Sequence, residues 1–204
     1  AYESPLRSTM KQKLCLMTTL IFLSCGICHA KESVSNEVLI GEMQSVAIDF
    51  METLGKSLKT AMSSDGPEAA IQVCETIAPT LANQLSKETG WKISRVSLKV
   101  RNPLIGTPDT WEQEQLRQFS ARVLSGEPGK NLDTTFVDHQ SEKYIVRYMK
   151  ALPTGPICLT CHGAESDIPN DVAKILNQRY PFDRAKGYKV GEIRGAISIQ
   201  ALTQ

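Results

Sequence analysis

The sequence predicts an α+β fold. Helical patterns come first, and several antiparallel strands with an inserted helix follow. Two observations carry this: apolar residues recur at spacings of three and four from Leu39 to Ala61, and short alternating runs fill the C-terminal half. The chain has 204 residues, enough for one ordinary domain with extra helices and too few for two full domains. Its 23 basic and 22 acidic side chains leave a net charge of +1. That balance excludes the basic footprint of a nucleic-acid binder. The composition also lacks the low hydrophobicity and high net charge of a disordered chain.

The first thirty residues read as a processing segment. Residues 1–9 read as a tag remnant or a misassigned start ahead of Met10. Lys11 and Lys13 form a basic region, Leu14 to Cys28 is uncharged and mostly apolar, and Ala30 closes the run with a small residue. This order is that of a secretory leader, residues 10–30, with cleavage after Ala30 and export to the periplasm. The apolar run is short for a membrane span, so no span is expected after leader removal. An uncleaved anchor is the alternative. A lipoprotein reading through Cys25 is weaker, because Phe22 stands where such signals usually carry leucine. The mature chain, residues 31–204, is expected to be a single domain that keeps three cysteines: Cys74, Cys158 and Cys161.

Within that domain Val34 to Met62 reads as one amphipathic helix. Leu39, Met43, Val46, Phe50, Leu54, Leu58 and Ala61 share a face. That stripe needs a sheet or a second copy of the chain to cover it, so a homodimer is one expectation. Pro67 suits the start of a second helix. Its inner stripe is Ala70, Val73, Cys74, Ile77, Leu81 and Leu85, Pro79 is expected to kink or interrupt it, and Gly90 ends it. Trp91–Val100 reads as a strand whose change of phase between Ile93 and Val96 suggests a bulge. Asp109 or Thr110 can cap a third helix with Leu116, Phe119 and Val123 inside. Strands are expected at Thr134–Val137 and Tyr144–Met149, and a short helix at Asp171–Arg179. Two last strands, Tyr188–Val190 and Ile193–Ala201, would join near Gly191, with Ile193, Ile197, Ile199 and Ala201 on one face.

The sharpest chemical signal is Cys158-Leu159-Thr160-Cys161-His162. In c-type cytochromes two thiols at this spacing add across the vinyl groups of haem, and the adjacent histidine becomes the proximal iron ligand. One covalent haem c is therefore expected. Three alternatives compete. A thioredoxin-like pair would open a helix after a strand, whereas Pro156 and Gly163 bracket this motif in a loop. A zinc site could draw on Cys158, Cys161, Cys74 and either His139 or His162, without any close spacing in its second ligand pair. A disulfide between Cys158 and Cys161 would close a small ring and gain little. Cys25-Gly26-Ile27-Cys28-His29 matches the same pattern. It lies in the leader, so it reads as a decoy, since haem is attached after export.

Other candidates are less distinct. His139 stands among Asp138, Gln140, Ser141 and Glu142, the setting of a surface histidine. Arg95, Lys99 and Arg101 could meet haem propionates, or could form a solvent-facing strand edge. Tyr144, Tyr148 and Tyr188 suit either a core or a cofactor pocket.

A wider set of motifs points further. Ala70-Ile71-Gln72-Val73-Cys74, Ala78-Pro79, Gly90-Trp91, Ser97-Leu98-Lys99-Val100-Arg101-Asn102-Pro103 and Pro108-Asp109-Thr110-Trp111-Glu112 occur in order. Cys158-Leu159-Thr160-Cys161-His162-Gly163, Tyr180-Pro181-Phe182-Asp183, Gly187-Tyr188-Lys189 and Ile193-Arg194-Gly195-Ala196-Ile197-Ser198 follow. From about Ser35 to the C-terminus the chain resembles a bacterial family of unknown function, comprising exported haem-c proteins and sensor modules with a PAS-like fold. The loop Leu104-Ile105-Gly106-Thr107 departs from the pattern. It looks one residue longer and lacks an asparagine common there.

The resemblance implies a PAS-like antiparallel sheet of about five strands flanked by helices. It also implies that Cys74 is the second axial ligand. The residues bear on Cys74 in two ways. It is the mature cysteine left over once two thioethers are assigned, and it lies on the apolar stripe of its helix. The competing reading is a buried thiol that behaves as a small hydrophobe. The cofactor-binding set is thus Cys158, Cys161, His162, Cys74, Arg101, Tyr148 and Tyr188, with His162 and Cys74 on the metal and no catalytic residue assigned.

Three functional readings remain at this stage, because fold and cofactor do not fix function. One is a redox- or ligand-responsive haem sensor that signals through a protein partner. The second is a periplasmic electron-transfer cytochrome with a redox partner. An enzyme, such as a peroxidase or a sulfur oxidoreductase, ranks below both, because no distal histidine–arginine pair is legible.

Overall fold

The computed structural model describes residues 23–138 and 144–203, with side chains from Asn36 onward. Most of the expected leader and His139 lie outside the described residues. The chain divides into two compact units, Ala1–Gly41 and Glu42–Gln204. The described part of the first is the opening of helix α1 (Leu23–Ser64). That helix begins well before the expected Val34. Among the described residues no helix is long and apolar enough to cross a membrane.

In the second unit α1 buries Met43, Ala47 and Phe50 completely. Val46, Leu54, Leu58 and Ala61 of the expected stripe are half-buried. Helix α2 (Gly66–Gln72) starts with Pro67 in its first turn. Pro79 does not break the next segment. The chain passes through a π-helical turn, Val73–Ile77, straight into α3 (Ala78–Thr89). A wide turn of this kind takes up the mismatch where proline has no N–H to give and its ring crowds the preceding carbonyl. Gly90, at φ 74°, ends α3 in the left-handed region.

One antiparallel sheet of four strands follows, in the order β1 (Lys92–Val96), β4 (Ile193–Leu202), β3 (Ile145–Pro153), β2 (Asp133–Asp138). The α+β class is as expected, with four strands among the described residues rather than about five. The missing strand is Tyr188–Val190. That segment is irregular, because its backbone groups are engaged elsewhere: Tyr188 N–H donates to His162 O and Lys189 N–H to the Glu192 carboxylate. Strand β1 ends at Val96, and its pairing with β4 runs without a bulge.

The irregularity lies instead where β3 meets β4, between Leu152 and Pro153, and it leaves Arg194 without a partner across the strands. One extra residue reverses the alternation. Ile193 therefore packs with Met149, Ala151 and Ala196, not on the face of Ile197. On that Met149 face lies α5 (Thr110–Leu124), burying Leu116 and Phe119. Asp109 caps it as expected, with a full capping box: Glu112 N–H donates to Asp109 Oδ1 at 2.9 Å, and Asp109 N–H to Glu112 Oε2 at 2.8 Å. The opposite face presents Arg95, Leu152 and Ile197 to a cavity that Phe50 of α1 also lines. A third cluster joins Ile71 of α2 to Val172, Leu176 and Tyr180 of α7 (Asn170–Arg179) and its end, with Cys161 packed against it.

Candidate functional site

The Cys158–His162 motif follows β3. Pro156 opens a tight turn, Pro156–Cys158, and one helical turn, α6 (Leu159–His162), completes it. Gly163 stops α6 after that single turn, its N–H donating to Leu159 O at 2.8 Å. A β-carbon at Gly163 would stand 2.7 Å from that same oxygen, so glycine is required. The motif is therefore not in the loop expected: Cys158 caps a helical turn that follows strand β3, the placement a thioredoxin-like pair also has. Cys74, Cys158 and Cys161 are all free thiols. Among the described residues no three histidine, cysteine or acidic side chains are arranged to hold a metal ion.

His162 is held from behind. Its Nδ1 donates to Ala185 O at 2.7 Å. A carbonyl can only accept, so the proton belongs on Nδ1 and the lone pair on Nε2. Arg194 Nε lies beside the ring, 3.2 Å from Nδ1 and 3.4 Å from Nε2, and Arg101 Nη2 lies 3.2 Å from Nδ1. Arg101 anchors the motif backbone: Nη2 donates to Cys161 O at 2.6 Å and Nε to Asp183 Oδ2 at 3.1 Å. Burial first, then the charges of Arg194 and Arg101, hold His162 well below the usual histidine range. The ring is thus neutral and able to donate its lone pair. Burial also pushes the Cys161 thiol up and brings Arg194 down to about 10.

Cys74 sits half-buried on the π-helical turn. One cavity of about 190 Å³ gathers Cys74, Cys158, Cys161 and His162, walled by apolar residues of α1 and by Ile197. A larger one of about 630 Å³ shares Cys74, Arg95, Arg101, Leu152, His162 and Arg194 with it. Among the described residues Arg95 Nε is buried with no hydrogen-bond partner. The departing loop, within α4 (Pro103–Gly106), puts Leu104 and Ile105 at the larger cavity with their side chains largely exposed.

The structure therefore brings Cys158, Cys161, His162, Cys74 and Arg101 together. It does not bring Tyr148, which is buried and donates to Asp133 at 3.0 Å away from both cavities. Tyr188 stands behind the site, edge-on to His162 with ring centroids 6.3 Å apart. Lys99 is also outside, above the Tyr188 ring and donating to Lys186 O. Tyr144 pairs through its backbone with Thr203 beyond β4. Sequence reasoning missed Arg194, Asp183 and Ala185. Arg194 carried a signal: it is a lone charge in an otherwise apolar strand, Ile193-Arg194-Gly195-Ala196-Ile197. Ala185 acts through its carbonyl, which no side-chain pattern reveals.

None of the curated proteins matches this chain. A solved structure, that of the cyanobacterial heme-protein Tll0287, has the same fold at a TM-score of 0.59. It is 23% identical, over 78% of this chain and 94% of that one. At that identity the likeness is one of fold. The Tll0287-like family model matches residues 35–201, from within α1 to the end of β4. The chain belongs to the Tll0287-like family.

Proposed function

We propose that the protein carries one covalent haem c and serves as an exported, redox- or ligand-responsive sensor that signals through a protein partner. The observation that carries this reading is the shared cavity of Cys158, Cys161, His162 and Cys74. Cys158 and Cys161 would hold a haem covalently, and His162 and the third thiol of the same cavity, Cys74, would be its iron ligands. The donor set fits the group in other ways. Apolar residues wall one cavity, while Arg95, Arg101 and Arg194 supply guanidinium groups for propionates, Arg95 with an Nε still to satisfy. The description of the related cyanobacterial structure as a heme-protein supports the same cofactor.

When bound, the haem would supply one-electron chemistry and an iron at which a small ligand could replace the Cys74 thiolate. His162 presents Nε2 because Ala185 O holds its other proton. Cys74 would supply a thiolate to the iron, since a metal deprotonates a coordinating thiol outright. The sensor reading is preferred over electron transfer because Cys74 lies on a π-helical turn, an element often found at functional sites. A change at Cys74 would bear first on α2 and α3, which flank that turn. Export with processing after Ala30, and a single domain from Lys31, complete the proposal.

The test is a denaturing gel stained for haem, with ligand-binding spectra. Wild-type protein from an export-competent host keeps its haem. Cys158→Ser and Cys161→Ser lose it in whole or part, while Cys25→Ser and Cys28→Ser do not. Full haem content after removal of both Cys158 and Cys161 ends the covalent reading. Fast electron exchange with a cytochrome partner, with no response to carbon monoxide or nitric oxide, replaces the sensor by a carrier.

A further inference from the structure

The segment after α7 turns back under the motif. Asp183 N–H donates to Tyr180 O, Arg184 N–H to Val100 O, Gly187 N–H to Gly163 O and Tyr188 N–H to His162 O. At its centre the Asp183 carboxylate is buried, its side chain 2% exposed, and both oxygens are occupied. Oδ1 accepts the Ala185 N–H at 2.8 Å. Oδ2 accepts Arg101 Nε at 3.1 Å. Both of those partners touch the motif: Ala185 O holds His162 Nδ1 at 2.7 Å, and Arg101 Nη2 holds Cys161 O at 2.6 Å.

We infer that Asp183 is a positioning residue that sets the donor strength of His162 by fixing, through one carboxylate, both the Ala185 backbone that holds Nδ1 and the Arg101 guanidinium beside it. The inference rests on the proposed haem ligation by His162. A histidine whose distal N–H is held by a well-placed acceptor is a stronger ligand, and partners of this kind are worth roughly 10- to 100-fold in metal affinity or activity. Asp183 does not touch the ring. It places the carbonyl that does, and it neutralises the buried Arg101 beside it.

Replacing Asp183 by asparagine keeps the shape and removes the charge. The amide can accept from Ala185 or from Arg101 but not from both, and the uncompensated guanidinium stays beside the motif. A looser Nδ1–H···O bond and an added positive charge both disfavour the ferric state. Asp183→Asn should therefore retain covalent haem on a denaturing gel while its ferric-to-ferrous equilibrium shifts about tenfold toward ferrous. For a one-electron couple that is about 59 mV upward. The low-spin resonance signal should change with it. Asp183→Glu keeps the charge but displaces the oxygen from Ala185, so its potential should fall between wild type and Asp183→Asn.

A loaded Asp183→Asn protein with the wild-type potential and resonance signal overturns the inference. If only Asp183→Glu can be recovered, a rise in its potential supports the inference and a wild-type value overturns it. Wild-type protein without covalent haem is a different failure, that of the proposed function itself.

Discussion

Strands β1 and β4 meet at one point with no room for a side chain. A β-carbon added at Gly195 would overlap the Val96 carbonyl oxygen, and it would stand 3.3 Å from Ser97 Cβ and 3.4 Å from the Val96 carbonyl carbon. The obstacle is backbone, so it cannot swing aside as a flexible side chain would. Val96 pairs with Ala196 in the same register, and relief requires β1 to move off β4. Overpacking of this kind costs about 1–3 kcal/mol, and a backbone obstacle puts Gly195→Ala near the upper part of that range. For a domain of this size each kcal/mol lowers the melting temperature by about 2–4 °C, so a fall of about 4–12 °C is expected.

Gly41→Ala is the internal control. Gly41 is in α1, and its added methyl would meet nothing within 4 Å. Alanine favours a helix over glycine by about 0.5–1 kcal/mol, so this variant should melt slightly higher. The same chemical change thus has opposite signs at two positions. Thermal unfolding followed by far-ultraviolet circular dichroism reads both. If Gly195→Ala melts within about 1 °C of wild type, the close approach of the two strands is not a constraint and the reasoning is refuted.

Cys74→Ser tests the second axial position. The variant should keep covalent haem, lose the wild-type low-spin resonance signal and titrate at a higher potential, because thiolate favours the ferric state. An unchanged signal and potential would make Cys74 a core residue. Asp109→Ala should cost about 1 kcal/mol through loss of the α5 cap, read as a lower urea midpoint. Burial raises the Asp109 carboxyl, but the Glu112 N–H and Arg147 outweigh this and hold it below the usual range. Its stabilisation is therefore full above the unfolded-state pKa and fades as pH falls through the folded one, so the gap to wild type should narrow below about pH 4. A gap that widens in acid contradicts that sign. Sedimentation across a concentration series tests a dimer through the α1 stripe, and a strict monomer at high concentration removes it.

Local signals in the sequence were strong where chemistry and geometry coincide within a few residues. The Asp109 cap and the Gly90 stop stand as read, whereas the Cys158–His162 motif lies on a helical turn and not in a loop. Long-range effects were not legible. The phase change in β1 suggested a bulge there, yet the extra residue is Arg194 in β4, because pairing with β3 decides the register. Tyr188–Val190 has strand-like residues, but its N–H groups serve His162 and Glu192. Tyr148 resembled a pocket residue, and its partner Asp133 lies across the β2–β3 pair, which no spacing announces. Arg194 was visible as an odd charge, but the reason for it needed His162 beside it.

The direction of synthesis gives the motif an order of events. The backbone carbonyls of Cys161, His162 and Gly163 are tied to Arg101, Tyr188 and Gly187, and the ring of His162 to Ala185 and Arg194. All but Arg101 come later in the chain than the two thiols. Central strand β4, between β1 and β3, is last of all. A chain that still lacks β4 would therefore leave Cys158 and Cys161 uncovered until that strand arrives, an interval in which a bulky reagent could reach them. A chain ending at Gly191 should keep both thiols reactive toward a large thiol reagent, and slow reaction there would contradict this order.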